Sequence, residues 1–249
     1  MPLGQPYVQA DSPRTIPLAM PWWYRADAVT LVGSKASVLK DLSGNGYDAL
    51  QSTDINRLAW SATSGPNNTP GLTGAGAQYA APVNPIILGG ATQLTNVYVI
   101  TPATIATAAV IAANGNSVIP PGSWQDAWLG ISSQYQGSHV NGASASVWRC
   151  AGTNATPTIV EITHDLTVPT EQTILLINGI LVAQVSIVDQ NVTGVFADLP
   201  LVIASRPGFA IPWIGVIAEA FEYIGLLSAQ QRQNLYRGYL SPRYGIAVP

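Results

Sequence analysis

The chain has 249 residues, of which 10 are Lys or Arg and 13 are Asp or Glu, so its formal net charge is −3. Hydrophobic residues make up 47% of the sequence and charged residues only 9%, a balance that excludes intrinsic disorder. The few basic residues argue against nucleic acid as the main partner, because phosphate binding needs a basic face. A single cysteine, Cys150, excludes a disulfide framework and a cysteine-rich zinc site.

The first 21 residues carry prolines at positions 2, 6, 13, 17 and 21, which predict an extended segment because proline removes an amide donor and fixes φ. We expect residues 1–21 to form an arm outside a single domain at 22–249. Either the arm is a terminus without fixed structure, or it is an assembly arm that lies on a neighbouring subunit. Apolar side chains favour the second interpretation: Leu3, Tyr7, Val8, Ile16, Leu18 and Met20.

The sequence does not open with the cationic and apolar stretches of a secretory signal. Its apolar runs are much shorter than the roughly 20 residues that cross a bilayer. We therefore expect a protein that is made in a cytoplasm and does not insert into a membrane.

Short segments rich in Val, Ile, Thr and aromatic residues predict strands along the body of the chain. They are Val97–Thr101, Ala127–Ser132, Ser144–Cys150, Thr158–Thr163, Thr173–Ile177, Ile180–Val188, Leu201–Ala204 and Val216–Tyr223. Asn178-Gly179 predicts a type I′ hairpin turn between two of them. This pattern is typical of an all-β antiparallel sandwich. Several strands are almost continuously apolar, which indicates cover on both faces, by a loop or by another subunit.

Two other segments have a clear local character. Residues 64–91 contain six Gly and four Pro, which predict a long irregular loop. Near the C-terminus, Ser228 and Gln231 have the spacing of a helix capping box. Apolar residues at helical spacing follow, so we expect a helix from about Ala229 to Tyr239 that Pro242 ends.

Three segments together resemble the LamG-like, concanavalin A-like jelly-roll family. The first is WYRAD at 23–27 followed by KDLSGNGYDA at 40–49, and the second is INGILV at 177–182. The third is GVIAEAFEY at 215–223 followed by YLSPRYGI at 239–246, where Arg243 stands in place of the family's usual Lys. The resemblance implies a two-sheet antiparallel jelly roll. It leaves the function open, because this fold serves lectins, glucanases, adhesion modules and virion proteins.

Catalytic patterns are missing from the sequence. Glucanases of this fold place their carboxylates as E-x-D-x-E on one face of a strand, whereas Glu219 and Glu222 are three residues apart and should face opposite sides. His139 and His164 are the only histidines, no G-x-S-x-G elbow accompanies them, and we interpret His164 as an exposed or hydrogen-bonded loop residue. Cys150 is interpreted as a small buried hydrophobe. We therefore expect a protein that is not an enzyme and has no cofactor.

Two binding sites remain as hypotheses. Asp41, Asn45 and Asp48 cluster around the Ser43–Gly46 turn and supply the oxygen ligands that calcium prefers, although Asp and Asn are also ordinary turn formers. Trp60 and Trp124 lie near predicted loops and are candidate platforms for a glycan if they are exposed.

Two functions are consistent with these observations. The first is a structural or adhesive protein of a virus particle, such as a phage capsid decoration or tail protein at the virion surface. It is favoured by the apolar arm and by the apolar strands, which suit contacts with other virion proteins or with further copies of the chain. The alternative is a carbohydrate-binding module that recognises a cell-surface or extracellular polysaccharide, including host glycans.

Overall fold

The structure is a computed structural model that describes residues 12–103, 108–115, 121–129, 134–141, 144–153, 155–189, 191–206 and 211–249. In chain order its strands are β1 (Trp23–Arg25), β2 (Val29–Val32), β3 (Lys35–Leu39), β4 (Ala49–Leu50), β5 (Ala59–Ser61), β6 (Gly71–Ala75), β7 (Ala81–Pro82), β8 (Gln93–Pro102), β9 (Ala108–Asn114), β10 (Ser123–Leu129), β11 (Gln134–Asn141), β12 (Ser144–Ala151), β13 (Thr158–Asp165), β14 (Thr173–Ile177), β15 (Ile180–Leu181), β16 (Gln184–Asp189), β17 (Leu201–Ile203) and β18 (Ile214–Ile224).

These strands form two antiparallel sheets. The larger follows the order β15-β14-β13-β8-β18-β6-β5-β3-β4-β7, with β1 beside β18 and β2 beside β3. The smaller follows the order β16-β12-β11-β10-β9-β17. The all-β two-sheet sandwich is therefore confirmed. Strand β18 is central, because β8 pairs along its length while β6 and β1 share its other edge.

The main core lies between the two sheets. The larger sheet contributes Tyr98 and Ile162, and the smaller sheet contributes Trp124, Tyr135 and Cys150. All five side chains are buried, so Cys150 occupies the place of a small hydrophobe as expected.

A second core covers the outer face of the larger sheet. Val97, Val99 and Phe221 point to this side and pack against helical residues such as Leu235 and Leu240. The central strands are thus buried on both faces by the chain itself, which accounts for their continuous apolar sequence.

The covering helix begins as predicted and continues further than predicted. The Ser228 side chain accepts from the Gln231 amide and the Gln231 side chain accepts from the Ser228 amide, which confirms the capping box that starts α1 (Ala229–Leu235). Pro242 does not end the helix. A π-helical turn (Tyr236–Leu240) leads into α2 (Ser241–Tyr244), and Pro242 lies in the first turn of α2, where a missing N–H costs little.

The proline-rich segment is only in part an arm. Leu3, Tyr7 and Val8 lie outside the described residues, but residues 12–21 pack on the sandwich of their own chain. Ile16 is buried, with Leu18 and Met20 against the same outer core. Ala19 forms a bridge with Ile224, and the Tyr223 hydroxyl donates to the Pro13 carbonyl at 2.6 Å. The predicted boundary at residue 21 is therefore wrong, because these apolar side chains are used within one domain.

The hairpin at Asn178-Gly179 is confirmed, with φ values of 51° and 81° at its two turn residues. The single strand predicted over Ile180–Val188 is wrong. Residues 180–181 (β15) pair with β14 in the larger sheet, whereas residues 184–189 (β16) pair with β12 in the smaller sheet. The chain changes sheets between them, a step that local apolar content does not reveal.

The Gly- and Pro-rich stretch at 64–91 is irregular over most of its length, yet it contains the strands β6 and β7, which its composition does not predict. Glycine is required there by close packing. A Cβ on Gly74 would lie 2.5 Å from the Trp213 carbonyl oxygen, and one on Gly71 would lie 2.7 Å from a Val216 methyl.

No helix in the described part of the chain is long and apolar enough to span a membrane.

Candidate functional site

The turn between β3 and β4 is built around one carboxylate. Asp41 Oδ1 accepts from the amides of Trp23 at 3.1 Å and Ser43 at 2.9 Å. Asp41 Oδ2 accepts from the Tyr47 amide at 3.0 Å and the Ser43 hydroxyl at 2.8 Å. Gly44 has φ +94°, which a side chain would resist. The Asp41 side chain therefore fixes a rigid, glycine-containing turn.

These residues do not fit a calcium ion. Both Asp41 oxygens already accept two hydrogen bonds each. Asp48 accepts from the Asp41 amide at 2.9 Å and from Lys40 Nζ at 2.6 Å. Asn45 uses its amide nitrogen on the carbonyls of Met20 and Pro21. Because calcium takes 6–8 oxygen ligands, Asp41, Asn45 and Asp48 are better explained as turn formers.

An open cleft lies where residues 14–21 meet this turn. Its volume is about 580 Å³, within the range of small-molecule sites. Leu18, Met20 and Ile87 provide apolar wall, and Arg14 and Asn45 provide polar groups. Sequence reasoning missed this cleft, because its walls come from segments that are far apart in the chain.

The aromatic ring in the cleft belongs to Tyr47. Its hydroxyl accepts from the Ile87 amide at 3.3 Å, and its carbonyl accepts from the Tyr24 hydroxyl. Asp198 Oδ1 accepts from the amides of Leu88 at 2.6 Å and Gly89 at 3.1 Å, which fixes the loop that carries Ile87. The walls of the cleft are thus held before any ligand arrives, which lowers the entropic cost of binding.

Arg14 is the cation of the cleft. It is exposed, and its Nη2 lies 3.1 Å from the point where a Cβ on Gly44 would stand. No hydrogen bond or carboxylate partner of the Arg14 guanidinium occurs among the described residues. The guanidinium therefore lies across the turn with its donors available.

The two predicted tryptophan platforms lie elsewhere. Trp124 is on β10 and only 1% exposed, so its prediction as an exposed glycan platform is wrong. The reason is that the turn at residues 121–122 leads directly into a buried strand. Trp60 is half-buried on β5, and its indole N–H donates to the Ala26 carbonyl at 2.7 Å. Because its N–H is occupied, Trp60 remains a candidate glycan platform only through the carbon atoms of its ring.

The motif residues that carry the family resemblance meet at a buried carboxylate. Glu219 accepts from the Trp23 indole at 2.5 Å, the Tyr239 hydroxyl at 2.9 Å and the Tyr244 hydroxyl at 2.8 Å. Burial raises the pKa of Glu219, and the three donors together with Arg25 lower it in part. The cluster ties both ends of the domain to β18, so the role of Glu219 is structural.

Glu222 lies on the opposite face of β18, as predicted, and is also fully buried. Burial raises its pKa well above the ordinary value, and the Asp126 carboxylate adds to the effect. Neither oxygen of Glu222 has a partner in regular hydrogen-bond geometry within the described residues. The two glutamates cannot flank one glycosidic bond, because the sheet separates them.

The interpretation of His164 as a loop residue is wrong. His164 lies on β13 and is fully buried. Its Nδ1 is 3.2 Å from His139 Nδ1, and its Nε2 is 3.3 Å from Asp126 Oδ1. Burial, with His164 beside it, lowers the pKa of His139 to about 3. Polar residues within apolar strands, such as Asn96 and Asp126, were the signal that could have predicted a polar cluster in this core.

No protein-family model matches the sequence, and no curated protein sequence matches it either. Solved structures do match the fold. The Ruminococcus gnavus IT-sialidase CBM40 bound to α2,3-sialyllactose aligns with a TM-score of 0.50 at 14% identity, covering 67% of this chain and 95% of that one. The binding domain of botulinum neurotoxin serotype D aligns with a TM-score of 0.57 at 14% identity, covering 88% of this chain and 51% of the other.

A sialidase of Trypanosoma rangeli in complex with the inhibitor DANA also aligns, with a TM-score of 0.54 at 15% identity. The match covers 86% of this chain and 32% of the sialidase, so the chain spans about half of the toxin structure and a third of the sialidase. At such identities the likeness concerns the fold. The described chain thus has the fold of a two-sheet jelly-roll sandwich.

Proposed function

We propose that this protein is a non-catalytic carbohydrate-binding domain, and that the cleft beside the Ser43–Gly46 turn is its binding site. The observation that carries the proposal is the composition of the cleft. A fixed tyrosine ring, apolar wall and available polar groups face an open space of about 580 Å³. Sugars need this combination, because their rings present C–H groups for apolar contact and hydroxyls for hydrogen bonds.

The structural neighbours support the same class of function. CBM40 is a binding module whose structure holds sialyllactose, and the toxin fragment is a binding domain. Two further features favour binding without catalysis. Glu219 and Glu222 lie on opposite faces of a sheet, and His139 and His164 are buried away from solvent.

The role in a virus particle remains a prediction, and the neighbours give it no support. The packing of residues 12–21 on their own domain removes part of its basis. Contacts with virion proteins, assembly of several copies and a location on the virion surface also remain predictions. Light scattering on the full chain tests the assembly, because a stable trimer or larger oligomer would favour the particle role.

A steric block of the cleft tests the proposed function. The Ile87 side chain is 54% exposed in the cleft wall, so Ile87→Trp should fill the space without disturbing the core. Val83, which is 77% exposed and does not line the cleft, provides the matched control Val83→Trp. The wild type and both variants are screened on a glycan array, and the best ligand is titrated by calorimetry.

We expect Ile87→Trp to weaken glycan binding at least about tenfold, which corresponds to about 1.4 kcal/mol, and Val83→Trp to leave it unchanged. Equal binding by all three proteins would show that the glycan site lies outside the cleft. If the wild type binds no glycan on the array, the proposed function is wrong.

A further inference from the structure

We infer that the sugar bound in this cleft carries a carboxylate, and that Arg14 is the residue that recognises it. This inference rests on the proposed function and specifies its ligand class. Its basis is the contrast between Arg14 and the other cations. Six of them have a carboxylate oxygen within 3.3 Å: Arg25, Lys35, Lys40, Arg57, Arg232 and Arg243. Within the described chain Arg14 has none, and the same holds for Arg149, Arg206 and Arg237, but only Arg14 lines the cleft.

The position of Arg14 is fixed by its surroundings. It lies in a short 3₁₀ turn, Pro13–Thr15, where Pro13 is buried and its carbonyl accepts from Tyr223. The next residue, Ile16, is buried in the outer core. On the other side the guanidinium lies over Gly44, with its Nη2 3.1 Å from the point where a Cβ would stand. The backbone of Arg14 is therefore anchored beside the cleft, and the glycine leaves room for its guanidinium.

Among the residues that the structure describes, none gives Arg14 a counter-charge. Asp41 in the turn has both oxygens occupied by donors from its own turn and from Trp23. Asp48 is paired with Lys40 at 2.6 Å. An anionic ligand can therefore bind Arg14 without displacing a protein carboxylate, and a guanidinium prefers a planar carboxylate that accepts two parallel hydrogen bonds.

The remaining groups suit the rest of an acidic sugar. Asn45 donates its amide N–H groups to Met20 and Pro21, which leaves its side-chain oxygen to accept from a sugar hydroxyl. The Tyr47 hydroxyl accepts from the Ile87 amide and keeps its own proton to donate. Met20 and Ile87 supply apolar contact for ring C–H groups. Arg14 is the one cation among the described residues that line the cleft, and the net charge of the chain is −3. The cleft therefore suits a single carboxylate better than a polyphosphate.

The experiment compares acidic sugars with their neutral counterparts. Calorimetry at low and at physiological salt is run with sialyllactose, with an oligogalacturonide, and with the carboxyl-reduced form of each. The two acids distinguish a nonulosonic acid from a uronic acid. The proteins are the wild type, Arg14→Gln, Arg14→Lys and the control Lys35→Gln, which removes a partly exposed charge that does not line the cleft. Thermal unfolding verifies that each variant is folded.

We expect the wild type to bind one acid about ten- to one-hundredfold more tightly than its reduced form, the range of a charge-assisted hydrogen-bond pair. Arg14→Gln should abolish this ratio and leave binding of the neutral form unchanged. Arg14→Lys should keep part of the ratio because it retains the charge without the planar fork. Lys35→Gln should behave as the wild type.

Two results would overturn the inference, and they have different meanings. If acidic and neutral sugars bind equally well and Arg14→Gln changes neither, Arg14 is not the specificity residue, while the proposed function stands. If none of these sugars binds and the glycan array is also blank, the proposed function fails and this inference fails with it.

Discussion

The two faces of β18 bury carboxylates in opposite ways. On the outer face, Glu219 accepts hydrogen bonds from Trp23, Tyr239 and Tyr244. On the inner face, Glu222 faces Asp126 and has no hydrogen bond of regular geometry among the described residues. Both glutamates are fully buried, so burial alone does not determine whether a carboxyl group stabilises the fold. The donors around it decide whether it stabilises the fold or weakens it.

The largest effect is expected from the outer face. Glu219→Ala would leave an indole N–H and two tyrosine hydroxyls buried without their acceptor. We expect the free energy of unfolding to fall by about 3–5 kcal/mol, the range for a broken buried charge network. Urea denaturation measures this loss. A change below about 1 kcal/mol would contradict the role of Glu219 as a link between the two ends of the domain.

Replacing the carboxyl group on the inner face should instead raise the free energy of unfolding. The pKa of Glu222 is raised in the folded state, so the stability it contributes is fully present below its unfolded pKa and is lost as the pH rises. At pH 7, Glu222→Gln removes the free-energy cost of burying this carboxyl group beside Asp126. We expect a gain of about 2–3 kcal/mol that shrinks toward pH 4.5. Destabilisation at pH 7 would contradict this account.

A smaller effect comes from the histidine pair in the same core. The folded-state pKa of His139 is about 3, below the unfolded value of roughly 6.5. The unfolded chain therefore takes up the proton first, and stability is lost as the pH falls from about 6.5 toward 3.

This loss of stability at low pH opposes the effect of Glu222, which favours the folded state as the pH falls. It is therefore best measured in the Glu222→Gln background. At pH 5 we expect a loss of about 2 kcal/mol relative to pH 7, from roughly 1.4 kcal/mol per pH unit below the unfolded pKa. His139→Gln in that background should flatten the profile, as recorded by urea denaturation at each pH. An unchanged slope would assign the acid sensitivity to another group.

Local signals predicted the elements that depend on local chemistry. The Asn178-Gly179 turn has positive φ at both residues, and the Ser228–Gln231 capping box forms as expected. Apolar strand segments predicted most of the central strands. These features depend on residues within four positions of one another, so their sequence suffices.

Signals with two meanings were less informative. The glycines at 71 and 74 predicted a loop, yet these residues lie in β6. Glycine is needed at these two positions because Trp213 and Val216 come too close for a side chain. Asp41 and Asp48 suggested calcium, yet their oxygens hold a turn and a lysine. The residue type alone does not separate these cases.

The amino-acid pattern alone predicts an all-β chain with a capped C-terminal helix, and it places Glu219 and Glu222 on opposite faces of one strand. Only the tertiary structure decided which partners each acid meets and where the cleft lies. Trp23 is 196 residues from Glu219 in the chain. Arg14 and Gly44 lie side by side, although strands β1, β2 and β3 separate them in the sequence. Such contacts depend on the packing of distant segments, and burial and hydrogen-bond geometry are fixed only when those segments come together.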